Sequence, residues 1–255
     1  MFNSCFVIFS TITVVLTTPL FKEASYYGDH AEEQGDFFEG DMILSDEQLF
    51  NIVSKNVLKD EKFRWPDNTL IYSLSDDFSD EQKSYIKQGL DTIAGVSCVK
   101  FREKNDLDEN YVLVSGTSGK GCSSAVGYKT GVQNLNLSPN DLEKGCFRLG
   151  TIMHEFLHAL GVYHQQSADN RDDYVEIIWD NIKPSKELNF QKYSTDTTTQ
   201  LGVEYDYDSV MHYPKTAFTS NGKPTIVPKK EDARIGQRMK LSEGDIAKLK
   251  LMHNC

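Results

Sequence analysis

The sequence predicts an α+β fold made of two unlike halves. Strand and helix signals are mixed ahead of residues 151–164, strand signals fade beyond them, and the segment between, TIMHEFLHALGVYH, reads as a buried helix with polar residues at fixed spacing.

In chain order, no charged side chain occurs from Met1 to Phe21, and an apolar stretch runs from about Cys5 to Leu16. That run is too short for a comfortable membrane span and suits the core of a signal peptide, although no Lys or Arg precedes it. A buried strand or a membrane anchor is the alternative. Residues 1–18 are assigned to the signal, with Ala24 as an outer limit for its cleavage. Residues 19–55 are acidic, rich in Tyr and Phe, and lack periodic pattern, so they read as a propeptide. Ser54–Lys55–Asn56 offers a trypsin-like protease its cleavage point, leaving 56–255 as the globular domain.

Within that domain TLIYSL after Pro66 is a strand candidate. Ser79–Asp80–Glu81–Gln82 has the capping-box arrangement, and Ile86, Leu90, Ile93 and Ala94 follow at helical spacing, predicting a helix over 80–95. VKFRE and YVLVSG are further strands, and the Gly-rich stretch around Cys122 reads as an irregular hairpin. Near the end, Ser242–Asp245 caps a short helix that contains Ile246, Leu249 and Leu251.

The 255 residues carry 38 acidic and 27 basic side chains, a net charge of −11. Such a surface repels phosphate backbones, so nucleic acid is excluded as a partner class. After Cys5 departs with the signal, Cys98, Cys122, Cys146 and Cys255 remain, an even number suited to disulfides in an exported chain. Three pairings are open to them. No CxxC occurs, which argues against a thiolate metal site.

His154 and His158 are four apart and stand one above the other on a single helix face, where two imidazoles reach one ion. Glu155 lies beside them, placed to take a proton from a water that the metal activates. A continued helix would carry His164 about 600° round, away from the metal. Gly161 permits a left-handed residue that ends the helix and turns the chain back, bringing His164 to the third corner. Three imidazoles and a water make an open catalytic zinc site.

HExxHxxGxxH with a downstream Met-containing turn, here Ser209–Val210–Met211–His212–Tyr213, resembles the metzincins. The SxMHY form resembles the astacin family in particular, as do Arg171–Asp172–Asp173–Tyr174–Val175, Arg64–Trp65–Pro66, Gly121–Cys122 and IGQRMKLSEGDIAKLKLMHNC. The resemblance spans 56–255, which it makes an astacin-like peptidase domain. It implies two lobes about a cleft, the upper a twisted sheet with two long helices and the lower mostly irregular. It implies the pairs Cys98–Cys255 and Cys122–Cys146. It makes Tyr213 a further zinc ligand at rest and an oxyanion donor during reaction, and Met211 an apolar floor. Phe38–Glu39–Gly40–Asp41 matches the family's FxGD propeptide motif, in which Asp41 binds zinc in place of water. Gln165 departs from the pattern: the family has Glu there, paired through water with the new N-terminal amine. Asn56 is therefore expected to dock more weakly.

These readings together imply a secreted zinc endopeptidase, one Zn2+ per chain, made as an aspartate-switch zymogen. It would act on proteins or peptides as a monomer, without nucleic acid or membrane. Asn136–Leu137–Ser138 is a glycosylation sequon. A non-catalytic protein-binding pseudoprotease is the alternative, opposed by the intact Glu155 and histidines.

Overall fold

The computed structural model describes residues 31–54, 61–117, 120–193 and 201–255. The signal segment, Cys5 and the Lys55–Asn56 junction lie outside the described residues.

The region read as propeptide contributes a short strand, β1 (Met42–Ile43), and a helix, α1 (Asp46–Ser54). The helix was absent from the sequence expectation, yet its start is written plainly. Ser45 N–H donates to Gln48 Oε1 at 2.9 Å and Gln48 N–H to Ser45 Oγ at 3.2 Å, a reciprocal cap. Gln48 is buried and its amide donates to the Val126 carbonyl, tying α1 to the domain.

The upper lobe follows the sequence reading closely. Strand β2 (Thr69–Leu74) buries Leu70 and Tyr72 in alternation, and helix α2 (Asp80–Val96) begins at the Ser79–Gln82 capping box. α2 carries the chain over to β3 (Lys100–Glu103), which lies parallel to β2 as a crossover connection requires. β4 (Tyr111–Ser115) pairs with the other edge of β2. The Gly-rich stretch supplies β5 (Cys122–Ala125), hairpin partner of β6 (Val132–Leu137). The strand order is β1-β5-β6-β4-β2-β3, and among the described residues β5–β6 is the antiparallel pair of this sheet.

Helix α3 (Leu149–Ala159) crosses beneath this sheet against α2. A Cβ at Gly89 of α2 would stand 2.9 Å from Ile152 Cγ2, so the helices approach where the side chain is smallest. Phe156, Leu157, Met153 and Ile152 join Leu90, Ile93, Leu135 and Leu137 in one core. Beyond α3 the described chain is mostly irregular, with a small sheet of β7 (Val175–Ile177) and β8 (Ile226–Pro228). A second cluster around Phe190, Phe218, Ile226 and Ile235 gives this lower lobe its own core. The last helix, α4 (Glu243–Met252), starts at a Ser242–Asp245 capping box. The architecture is thus α+β with a six-stranded sheet, two long helices and an irregular second lobe.

Asn136 is buried in β6 and donates its amide to the Gly121 carbonyl, which leaves no room for a glycan in the folded chain. Disulfides join Cys98 to Cys255 and Cys122 to Cys146. The first spans 157 residues and pins the end of α4 to the upper lobe. On the chain-entropy account a loop of that length contributes about 5 kcal/mol. Replacing Cys98 and Cys255 together with serine is expected to lower the thermal midpoint by roughly 10 °C or more, measured by calorimetry on the full chain.

Candidate metal centre

Every residue of α3 from Gly150 to Ala159 is buried, so its side chains are held rigidly. The helix ends as its sequence implies. Gly161 adopts φ +102°, its N–H donates to the His158 carbonyl, and Val162 N–H donates to the Leu157 carbonyl. These two bonds are a Schellman closure, which needs a left-handed residue after the helix. Trp65 Nε1 donates to the Ala159 carbonyl and satisfies another end group. The reversal delivers His164 to the other two histidines.

His154 Nε2 lies 3.1 Å from His158 Nε2 and 3.3 Å from His164 Nε2. His154 Nδ1 is 2.8 Å from the Val210 carbonyl and His158 Nδ1 is 2.7 Å from the Val162 carbonyl. A carbonyl only accepts, so both Nδ1 atoms carry the proton and both Nε2 atoms offer lone pairs to a common centre. Asp41 faces the same centre, with Oδ2 at 3.1 Å from His154 Nε2 and 3.3 Å from His164 Nε2, and Oδ1 at 3.7 Å from His158 Nε2. Among the described residues Asp41 Oδ1 has no hydrogen-bond partner.

This donor set fits a metal ion. Ligands about 2.0–2.1 Å from a tetrahedral zinc lie roughly 3.3 Å apart, the spacing found here. Lone pairs and a carboxylate crowded out of water are stable only around a cation.

Glu155 is also fully buried, and neither carboxylate oxygen has a hydrogen-bond partner among the described residues. Burial, then the neighbouring Asp41 and Glu32 carboxylates, push its pKa well above the usual range. The Tyr213 hydroxyl donates to the Glu39 carbonyl, and Asp41 joins the three histidines as a fourth donor.

The Met-turn is held from α4. Asp245 Oδ1 accepts from Ser209 Oγ at 2.6 Å and Oδ2 from Val210 N–H at 2.8 Å. Val210 in turn orients His154, so the cap of α4 reaches a metal ligand in two steps. Met211 is buried, and its carbonyl accepts from Gln165 N–H. Gln165 Oε1 accepts from Lys248 Nζ, while Asn56 lies outside the described residues.

Two further groups escaped the sequence reading. Glu32 and Arg238 form a buried ion pair at 2.6 Å beside Thr151 of α3. Burial acts to raise the Glu32 pKa, but the Arg238 guanidinium overrides it and lowers it to about 2. Glu39, the variable residue of FxGD, is buried with its carboxylate bonded to His164 Nδ1, Ser167 Oγ and Tyr193 OH.

Residues 57–254 match the family model described as Astacin, a peptidase family. The chain belongs to the astacin family. It is 44% identical over 191 residues to zinc metalloproteinase nas-14 of Caenorhabditis elegans, covering 75% of this chain and 37% of that protein. It is 40% identical to seminal metalloprotease 1 of Drosophila melanogaster, covering 86% of this chain and 87% of that protein. Among solved structures, high choriolytic enzyme 1, a hatching enzyme zinc-protease from Oryzias latipes, superposes with a TM-score of 0.71 at 32% identity. That match covers 78% of this chain and 100% of the other. The chain thus spans little more than a third of nas-14 but nearly all of the Drosophila protein. Astacins are zinc metallopeptidases with one zinc, and the buried His3Asp group is suited to it.

His158→Ala removes one donor and is expected to reduce bound zinc from one equivalent to a small fraction after dialysis. Atomic absorption on the purified chain measures this.

Proposed function

We propose that this chain is a secreted endopeptidase made as a latent precursor, with residues 1–18 as signal, 19–55 as propeptide and 56–255 as the catalytic domain. The observation that carries the reading is the buried convergence of His154, His158 and His164 with Glu155 on the same helix. Zinc, when bound, supplies Lewis-acid polarisation and a lowered water pKa.

The remaining chemistry belongs to side chains. Glu155 takes the proton of the attacking water on its carboxylate and passes it to the leaving amine nitrogen. Tyr213, once free of the Glu39 carbonyl, donates its phenolic hydrogen to the oxyanion that develops on the substrate carbonyl. Met211 packs under the histidines and does no chemistry. Strand β5 offers its edge to the substrate backbone as an antiparallel partner.

The propeptide blocks the metal centre, Tyr213 and the β5 edge at once. Asp41 takes the reacting centre, Glu39 holds Tyr213, and β1 lies on the β5 edge. β1 runs parallel to β5, with Met42 opposite Ser124, the reverse of an antiparallel substrate. A segment bound backwards presents no peptide bond in the productive direction, which accounts for its surviving in the cleft. Gly40 is required here: at φ +91° a Cβ would meet the Glu32 carbonyl at 2.8 Å and Phe218 Cζ at 2.9 Å.

Casein cleavage by processed protein, with and without a zinc chelator, tests the activity. Absence of chelator-sensitive cleavage by folded, metal-loaded protein would favour a binding pseudoprotease. Glu155→Gln is expected to lower kcat by about 10²–10⁴-fold or more while zinc content stays at wild type. Asp41→Ala is expected to give the uncut chain measurable activity. An uncut Asp41→Ala chain as silent as wild type would remove the latch.

A further inference from the structure

The three metal-facing histidines differ in what orients them. His154 and His158 give their Nδ1 protons to the Val210 and Val162 carbonyls, both from the catalytic domain. His164 Nδ1 instead meets Glu39 Oε2 at 2.7 Å, and Glu39 lies two residues before the Asp41 latch. The other oxygen of that carboxylate accepts from Ser167 Oγ at 2.7 Å and Tyr193 OH at 2.6 Å. Three donors fix one buried anion beside one ligand. Glu39 holds this place with a left-handed backbone, φ +49°, a conformation a non-glycine residue adopts only where surrounding contacts impose it.

We infer that Glu39 is a positioning residue of the metal site, so that the propeptide completes the zinc centre as well as blocking it. A carboxylate on the outer nitrogen of a ligating histidine fixes its tautomer and ring orientation and raises the basicity of the inner nitrogen. The precursor therefore holds zinc more tightly than its ligand set alone provides. By linkage, bound zinc holds the propeptide more tightly to the domain. Removal of the propeptide withdraws the acceptor from His164, Ser167 and Tyr193 together. Activation then unblocks the site and loosens its metal in the same event. This rests on the propeptide reading above.

The test is zinc affinity of the uncut full chain, by competition with a chromogenic chelator, for wild type, Glu39→Gln, Ser167→Ala and Asp41→Ala. Affinity compares the metal-free and metal-loaded forms of each protein, so a contribution to folding common to both cancels. Glu39→Gln preserves shape and is expected to weaken zinc binding about 10–100-fold. Ser167→Ala leaves the carboxylate less firmly aimed and is expected to weaken it by a smaller factor. Should Glu39→Gln fold poorly, Ser167→Ala decides. Zinc affinity within about twofold of wild type in the folded variants overturns the inference. Latency is read separately on Asp41→Ala: a silent uncut chain there defeats the latch, whereas an active one beside unchanged Glu39→Gln affinity defeats only the role given to Glu39.

Discussion

Three imidazole nitrogens and a carboxylate within hydrogen-bonding distance of one another repel unless a cation lies among them, and much of this structure exists to hold them there. The cost of burying such groups is met only when each ligand has a fixed tautomer and direction. Val162, a residue of the helix closure, fixes His158. Val210, a residue of the Met-turn, fixes His154. The helix closure and the Met-turn therefore each direct a ligand.

The sequence declared this centre because its spacing is governed by helix geometry. Four residues make one face, and a glycine at the helix end lets His164 come back without backbone strain. The upper-lobe strands and both capping boxes were legible for the same local reason, since alternation at Leu70 and Tyr72 and the Ser79–Gln82 pair need no tertiary context. α1 carried an equally local signal in Ser45–Gln48, masked by its setting in an acidic, aperiodic stretch. β6 was harder, because VQNLNL buries polar Gln133 and Asn136, whose partners are hydrogen-bonding groups of the fold. Glu32–Arg238 and Glu39–His164 were beyond local reading altogether. Pairs separated by 206 and 125 positions leave no periodic trace.

The position of Tyr213 follows from the same separation. Its expected role as a resting ligand comes from a resemblance that spans 56–255, and the structure also describes residues 31–54. The acceptor of the phenol in this structure is the Glu39 carbonyl. One short segment thus engages the ligand set through Asp41, a ligand's outer nitrogen through the Glu39 side chain, and the phenol through the Glu39 backbone. Gly40 between them supplies the turn that lets neighbouring residues face the same pocket.

Gln165 belongs to a further chain of support. Where the family pattern places a carboxylate, this chain has an amide bonded to the Lys248 ammonium of α4. Burial lowers the Lys248 pKa, and the Asp245 and Asp206 carboxylates act against that shift. Asp245 is also the residue that caps α4 and grips Ser209 and Val210. Lys248, beside the third histidine, comes from a helix whose C-terminal end the Cys98–Cys255 bridge ties to the segment that follows α2. In this chain the residue after His164 is held by α4 through Lys248 and by the Met-turn through the Met211 carbonyl.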